Sequence, residues 1–596
     1  MEVKRNSPQS LDEGFDYLKL LEPIRRLIQI FVSSEYTFFI FAAAIIGILS
    51  GFANFFFVSA YEAIYRSVVL PLWGSPFVVI PTLVGGGMLF LLSFLVPPSM
   101  LLGYGFPKFL EKLNLKDGVL RVQDTVYKAL GSLVTLGFGG SAGQEGPIAQ
   151  IGGGVGSAIA QLLRVPRNTS RIFVACGVAS AIAATFNAPV AGVLFAEEIA
   201  LVRDFRIGSF IPIVIASAVG TVTSHAMRGN KPIFTVPPYQ FAEYKEFLIY
   251  GAFGIVVGVV GFLFIRTFYA VKDRFARLPV SERQKPIVGG LIVGSIAIFF
   301  PYILGNGYEH VEGMLTGHLP LSVVLGLIVL KPIATSITIG SGWPGGIFAP
   351  SIFIGTALGS GFGKLANYYI SSPNADLSSA YATVGMGAFL ASVTGAPLTS
   401  IFLIFEMTQN YQVVIPIMIT SVIASGITRY LAGGSLESIE LKRMGIDIEE
   451  GIEKNILRSI RVADVMNREV ETVPEKMTLR GVIDYILRSR HTTFPVVDEK
   501  GFLSGIISIQ DFREWIFEES LKDLIVVKEL STPHVITVTP SDTLDKVLDK
   551  WANKPVEVLP VVSERNGRQL VGIISRRDLL AAYNKALTEK AIEREY

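Results

Sequence analysis

The stretch Gly143-Gln-Glu145-Gly146-Pro147 sets one carboxylate among glycines, immediately before the apolar run Ile148 to Leu163. Gly137, Gly139 and Gly140 precede it, and Pro147 suits the first position of a helix. Glu145 is therefore expected at a helix start in apolar surroundings. There, unpaired N–H groups and the positive end of the helix dipole favour negative charge. The carboxylate can occupy a site that an external anion would otherwise take, and yield it when protonated or swung aside. The plainer alternative is a carboxylate that only satisfies the helix N–H groups.

Two further stretches offer backbone donors. Gly345-Gly346-Ile347-Phe348-Ala349-Pro350, with Pro344 before it and Ser351 to Gly361 after it, reads as a loop entering a helix. The N–H groups of Gly346, Ile347, Phe348 and Ala349 can line an anion site without a fixed cation, which would bind too tightly for conduction. A re-entrant packing loop is the alternative. Gly103-Tyr104-Gly105-Phe106-Pro107 precedes a polar helix, Lys108 to Leu115. Tyr104 offers a hydroxyl donor there, or an aromatic anchor at a membrane interface.

The elements that must hold these residues are apolar. Of 596 residues, 50% are hydrophobic and 17% charged, against about 25% charged in an average soluble domain. Twelve apolar runs lie between residues 37 and 432. Some reach the ~20 residues needed to span a bilayer. Others are broken by Gly or Pro, as at 139–147 and 340–350. Broken helices at membrane depth are tolerated only where protein or a water-filled cavity surrounds them, and paired breaks in two halves point to a transport site. The two breaks lie about 200 residues apart, as an inverted repeat would place them.

Several classes are excluded. A net charge of +2 gives no basic patch for nucleic acid. The single cysteine, Cys176, can form no internal disulfide, and no metal-ligand spacing occurs. Gly139-Gly-Ser141-Ala-Gly143 matches the nucleophile-elbow pattern but lacks the strand and the His and Asp partners that motif needs. No cleavable signal peptide is expected. Lys4, Arg5, Arg25 and Arg26, ahead of the first apolar run, favour a cytoplasmic N-terminus.

Beyond residue 440 the chain turns charged and repeats itself. Phe494-Pro-Val-Val through Gly505-Ile-Ile-Ser508-Ile-Gln-Asp511 is echoed by Leu559-Pro-Val-Val through Gly572-Ile-Ile-Ser575-Arg-Arg-Asp578. Each copy, of about 60 residues, reads as short strands, a turn, and a helix starting at the aspartate.

These motifs, together with Asn187-Ala-Pro-Val-Ala-Gly-Val-Leu-Phe195 and Glu406-Met-Thr-Gln-Asn-Tyr411, resemble the chloride channel and transporter (CLC) family. The soluble repeat resembles paired CBS domains. The resemblance implies an α-helical polytopic membrane protein of CLC-like inverted repeats with broken helices, plus C-terminal α/β tandem CBS domains. On this reading residues 1–36 are a cytosolic segment, 37–440 the anion-transport domain, 441–458 a linker, 459–520 and 521–587 the CBS domains, and 588–596 a tail. It further implies a homodimer in the lipid bilayer, both termini cytosolic, and one pathway per subunit for chloride or another small anion. Glu145 matches the gating glutamate, and Gly346 to Ala349 the backbone-donor segment.

Three departures follow. Tyr104 replaces a usual serine, which bears on preference among chloride, nitrate and fluoride. Glu437, in Ser435-Leu-Glu437-Ser, aligns with a pore tyrosine; a carboxylate there would repel anions, so it is expected to face elsewhere or the register to shift. Ile199 aligns with the inner glutamate of proton-coupled members. Glu198 remains a candidate proton relay; otherwise Glu197 and Glu198 form a solvated or helix-end pair near Arg203 and Arg206. No cofactor is required. The CBS cleft is expected to admit an adenine nucleotide (ATP, ADP or AMP), with Ser508, Asp511, Ser575 and Asp578 positioned for ribose hydroxyls; helix capping by those aspartates is the alternative.

Ile199 favours a passive channel, gated by Glu145 and regulated by the CBS pair. Glu145 itself favours a chloride/proton antiporter. A nucleotide-sensing membrane protein for another solute would need more acidic residues in the spans than occur here.

Overall fold

The computed structural model describes residues 35–592, apart from 117, 203–206, 231, 238–245, 370–376, 447, 449–455 and 553–555. The basic N-terminal residues, Arg203 and Arg206 lie outside the described residues. Contacts divide the chain into two units, Met1–Ile446 and Asp447–Tyr596.

The first unit is helical: α1 (Glu35–Val68), α2 (Val79–Leu95), α3 (Phe106–Leu115), α4 (Val122–Gly137), α5 (Glu145–Leu163), α6 (Arg167–Phe186), α7 (Pro189–Leu194), α8 (Ile207–Arg228), α9 (Glu246–Ala276), α10 (Lys285–Phe299), α11 (Tyr308–Leu315), α12 (Leu321–Gly340), α13 (Phe348–Tyr369), α14 (Leu377–Thr394), α15 (Pro397–Thr408), α16 (Val414–Ala432) and α17 (Leu436–Arg443). Among the described residues, eight helical stretches are long and apolar enough to cross a membrane. Large apolar side chains such as Leu95 and Phe299 point outward, more than 80% exposed, as lipid-facing residues do.

Two apolar runs that look continuous in the sequence are each two helices. The run 172–202 breaks at Asn187-Ala-Pro189, and 380–404 breaks at Gly395-Ala-Pro397. At each break a left-handed residue (Asn187 φ 53°, Gly395 φ 67°) ends one helix and a proline opens the next. After α7 the chain makes a π-helical turn, Phe195–Ala200.

The two halves repeat. Gly143, Pro147, Gly152 and Gly156 recur 203 positions later as Gly346, Pro350, Gly355 and Gly359. Gly143 and Gly346 exchange both backbone hydrogen bonds, N to O at 2.7 and 2.8 Å, in an antiparallel bridge. The two broken segments therefore meet at this bridge and run antiparallel where they touch. The later glycines let helices touch. A Cβ on Gly156 would lie 2.0 Å from the Phe173 carbonyl oxygen, and one on Gly359 1.9 Å from that of Tyr381. α5 packs on α6, and α13 on α14, at backbone distance. All eighteen residues of α14 are buried; a helix apolar on every side belongs in such an interior.

The second unit carries a three-stranded sheet in the order β1 (Val473–Pro474), β2 (Thr493–Val497), β3 (Leu503–Ser508), and a two-stranded sheet of β4 (Val558–Val562) and β5 (Leu570–Ser575). Its main helices are α18 (Leu479–Arg488), α19 (Leu544–Ala552) and α20 (Arg576–Ile592). The two cores correspond residue by residue. Leu479, Val482, Phe494 and Ile507 fill one, and Leu544, Val547, Leu559 and Ile574 the other. Packing departs from the chain-order division at 520/521: Leu457 and Val462 join the second core, and Ile525 and Val527 the first. Each module's leading segment covers its partner's apolar face.

The aspartates do not start helices. Ser508 is the N-cap of a short turn, Ile509–Phe512, and Asp511 is its third residue. α20 likewise begins at Arg576, two residues before Asp578.

Candidate anion site

Glu145 is the first residue of α5, so Pro147 stands third rather than first, still within the turn that lacks donors' partners. The side chain is fully buried. It does not fold back onto its own helix alone. Oε2 accepts a hydrogen bond from the backbone N of Ala349, at 3.1 Å, and Oε1 accepts one from the Tyr308 hydroxyl at 2.8 Å. Ala349 is the second residue of α13. The carboxylate of one half thus sits at the helix N-terminus of the other, where free N–H groups bind anions.

The three glycine-containing stretches converge here. A Cβ on Gly146 would meet the Gly346 Cα at 3.5 Å and the Phe106 Cβ at 3.7 Å. Phe106 and Phe348 both approach the Phe195 ring, with centroids 6.0 and 5.2 Å away. Ile347 is fully buried. Gly103 N donates to the Gly342 carbonyl at 2.7 Å, which ties the first loop to the second half. Pro107 lies in the first turn of α3. Gly105 packs close to Lys128 and Gln150.

Two buried lysines brace the loops. Lys128 Nζ donates to the carbonyls of Leu101, Leu102 and Gly103 at 3.2, 2.6 and 3.0 Å. Lys331 Nζ donates to those of Ile303 and Gly305 at 2.9 and 2.8 Å. Lys128 stands 17 positions before Glu145, and Lys331 17 before Phe348. Their ammonium groups bind loop carbonyls, which leaves the anion position to N–H and O–H donors.

On one side of Glu145 a cavity of about 230 Å³ is lined by Tyr61, Arg66, Gln144, Arg228, Asn306 and Tyr308, among others. Tyr61 donates to Gln144, and Asn306 to Tyr61 at 3.4 Å. Glu62 and Glu309 share this lining with the two arginines, and Arg66 lies 3.8 Å from Glu62, so the cavity presents charges of both signs.

Glu437 does not face elsewhere. It is buried, and its Oε1 accepts from the Tyr104 hydroxyl at 2.9 Å. The departure at 104 supplies the donor that the departure at 437 requires. The Tyr104 ring rests edge-on against Phe268, so it is no interfacial anchor.

Glu197 and Glu198 are not a solvated pair. Glu197 is fully buried in the π-helical turn. Glu198 accepts from the backbone N of Leu398 and Thr399 (3.3 and 2.7 Å) and the Thr399 hydroxyl (2.8 Å), and so caps α15. Glu406, near the end of α15, caps α7 in return through Val190 N and Ala191 N, at 3.0 and 2.8 Å. Ser141 of the false nucleophile motif is buried, its hydroxyl 3.1 Å from that of Thr335.

In the second unit, Asp511 Oδ2 accepts from Ser508 N and Oγ (2.6 and 2.9 Å), and Asp578 Oδ2 from Ser575 N and Oγ (2.8 and 2.6 Å). The capping arrangement is therefore present in both modules.

Sequence reasoning missed Tyr308, Lys128 and Lys331. A signal existed: Gly103-x-Gly105-Phe106 recurs as Gly305-x-Gly307-Tyr308.

Helix N-termini meeting inside an apolar bundle, with a buried carboxylate between them, define a membrane protein that transports anions. The chain belongs to the CLC family: the family described as voltage gated chloride channel matches residues 88–429, and the CBS domain matches 462–518 and 527–585. It is similar to a putative chloride channel protein, ClcB-like, of Ralstonia nicotianae, 33% identical over 59% of this chain and 82% of that one. It is also similar to the H(+)/Cl(-) exchange transporter ClcA of Vibrio campbellii, 30% identical over 68% of this chain and 89% of that one. A slow cyanobacterial Cl-/H+ antiporter, known by X-ray crystallography, superimposes with a TM-score of 0.62 at 27% identity, covering 68% of this chain and 97% of that one. The fold of a eukaryotic CLC transporter covers 93% of this chain and 98% of that one, with a TM-score of 0.58 at 19% identity.

Proposed function

We propose that the protein exchanges chloride for protons across the membrane, and that Glu145 is the group through which the two are coupled. The observation that carries this reading is the double hydrogen bond of the Glu145 carboxylate, to Ala349 N and the Tyr308 hydroxyl. As a carboxylate it holds the anion position. As an acid it loses most of its attraction to those donors and gives the position up. Proton arrival and anion entry then become one event. A buried intramembrane carboxylate is expensive to keep and marks ion and proton routes. The exchangers among the similar proteins support the same reading over a passive channel. Ile199, which argues for a channel, loses force because other carboxylates, Glu437 and Glu197, are buried in the same bundle.

Chloride and proton fluxes measured together in liposomes containing the purified protein test this. A chloride gradient is expected to drive protons against their own gradient. Chloride flux with no proton movement would overturn exchange.

The protein is further proposed to work as a homodimer with cytosolic termini, and the CBS pair to respond to adenine nucleotides. Every hydrogen bond to Asp511 and Asp578 among the described residues falls on Oδ2, so Oδ1 can meet ribose hydroxyls without breaking the cap. ATP titrated into the full-length protein is expected to give binding heat that is lost in Asp511→Ala/Asp578→Ala. An absence of heat in the wild type would reject nucleotide binding.

A further inference from the structure

Glu145 has a counterpart in Glu437. Tyr308 opens α11 and Tyr104 lies just ahead of α3, in loops related by the internal repeat (Gly305-x-Gly307 and Gly103-x-Gly105). Each tyrosine donates its hydroxyl to a buried glutamate: Tyr308 to Glu145 at 2.8 Å, Tyr104 to Glu437 at 2.9 Å. Tyr308 lines the cavity beside Gln144, whereas Tyr104 and Glu437 are no part of that lining and pack with Phe268.

Glu437 is built unlike a structural carboxylate. It is 4% exposed, and Oε2 has no hydrogen-bond partner among the described residues. The charged groups around it are paired with others. Lys272 binds Glu440, Arg443 binds Asp273 at 2.7 and 2.9 Å, and Lys128 binds the carbonyls of residues 101–103. The Tyr269 hydroxyl donates to the Leu436 carbonyl, at 2.7 Å. Among the described residues no cation neutralises Glu437 directly. A carboxylate without a counter-charge beside an anion pathway repels the transported ion, and a single proton removes that repulsion.

We propose that Glu437 is a second proton-binding gate, on the α17 face of the pathway. In the charged state Glu437 and Tyr104 close that face to anions. A proton from the solution on that side adds to Oε2, a hydronium becoming water, and the neutral acid admits an anion past Tyr104. Loss of the same proton to water resets the gate. The proton returns to the same solution when the gate resets, so entry from that face depends on pH without a glutamate at position 199, while net proton exchange stays with Glu145. The inference rests on the anion pathway assigned above and adds a pH-sensed gate on its second face.

The test uses sealed right-side-out and inverted vesicles from cells expressing the full-length chain, with pH varied on one side at a time. Chloride flux and a pH dye are the readouts, corrected for vesicles lacking the protein. In the wild type, flux is expected to respond to pH from both sides. Glu437→Gln is expected to flatten the response on the α17 face at least tenfold while the response on the Glu145 face persists. Glu437→Asp, which keeps a titrating group, restores it. Tyr104→Phe, which removes a donor to the charged form, shifts the pH midpoint on the α17 face upward. A full α17-face response in Glu437→Gln overturns the proposal. Should that variant fail to fold, an unshifted midpoint in Tyr104→Phe overturns it instead. A wild type that carries chloride without protons would defeat the exchange reading alone, since the one-sided loss of pH response is measured on chloride.

Discussion

Glu145→Gln is expected to abolish proton movement, to below about 1% of wild type, and to leave chloride flux running without the pH response of the Glu145 face. Glutamine is nearly the same size, so the packing around position 145 is kept. What changes is the grip on two donors. Hydrogen bonds to a charged acceptor are worth about 1.5–3 kcal/mol each. Ala349 N and the Tyr308 hydroxyl together therefore hold the carboxylate in the anion position by roughly 3–6 kcal/mol, or about 10²–10⁴ in occupancy. The amide presents one oxygen and one NH₂ where two acceptor oxygens stood, so it holds the position weakly and cannot exchange a proton. Paired chloride and proton traces from liposomes over pH 5 to 8, with pH varied on the Glu145 side alone, check this. Persistent dependence of chloride flux on pH from that side would remove Glu145 from the gate.

Gly359→Ala is expected to cause the largest loss of folded protein of any single methyl added here. Its Cβ would lie 1.9 Å from the Tyr381 carbonyl oxygen and 2.5 Å from the carbonyl carbon. Backbone atoms cannot rotate aside as a side chain would, so α13 and α14 must separate along their length. Overpacking costs about 1–3 kcal/mol when neighbours can relax, and here the buried α14 gives them no room. A penalty near the upper end, about 3 kcal/mol, is roughly a hundredfold in the folded ratio. Gly87→Ala on α2 is the control: a Cβ there meets nothing within 4 Å. It should be neutral or stabilising by about 0.5–1 kcal/mol through helix propensity. Monodisperse yield and thermal midpoint in detergent distinguish the two, and equal yields would show that the crossing is looser than its geometry.

Much of this was legible in the sequence because it rests on glycine, proline and a lone carboxylate in apolar surroundings. Gly143 to Pro147 and Gly346 to Pro350 announce broken helices, and Glu145 between them announces chemistry. The breaks at Asn187 and Gly395 were hidden because hydropathy does not change across them; only the Ala-Pro that follows marks a new helix. Tyr308 was hidden for a different reason. Its partner is 163 positions away, and neither periodicity nor local spacing links a tyrosine to a distant glutamate. The same holds for Glu437, which looked like an error of register until Tyr104 supplied its hydrogen bond. Lys128 and Lys331 carry no local spacing that links them to their partners, yet both are buried against loop carbonyls 25 to 28 positions away.

The exchanged caps of α7 and α15 bear on how the chain is made. Glu198 serves backbone donors 200 and 201 positions ahead of it, and Glu406 serves donors 215 and 216 positions behind. During synthesis the first half therefore leaves the ribosome with a helix start uncapped and a half-buried carboxylate unserved. Neither defect is corrected until the second half has entered the membrane. At about 5–20 residues per second, that wait is on the order of ten seconds or more. Through that interval the half-made bundle must be shielded by lipid, by the insertion machinery or by a chaperone. Splitting the gene between the halves should yield two fragments that fold only when expressed together.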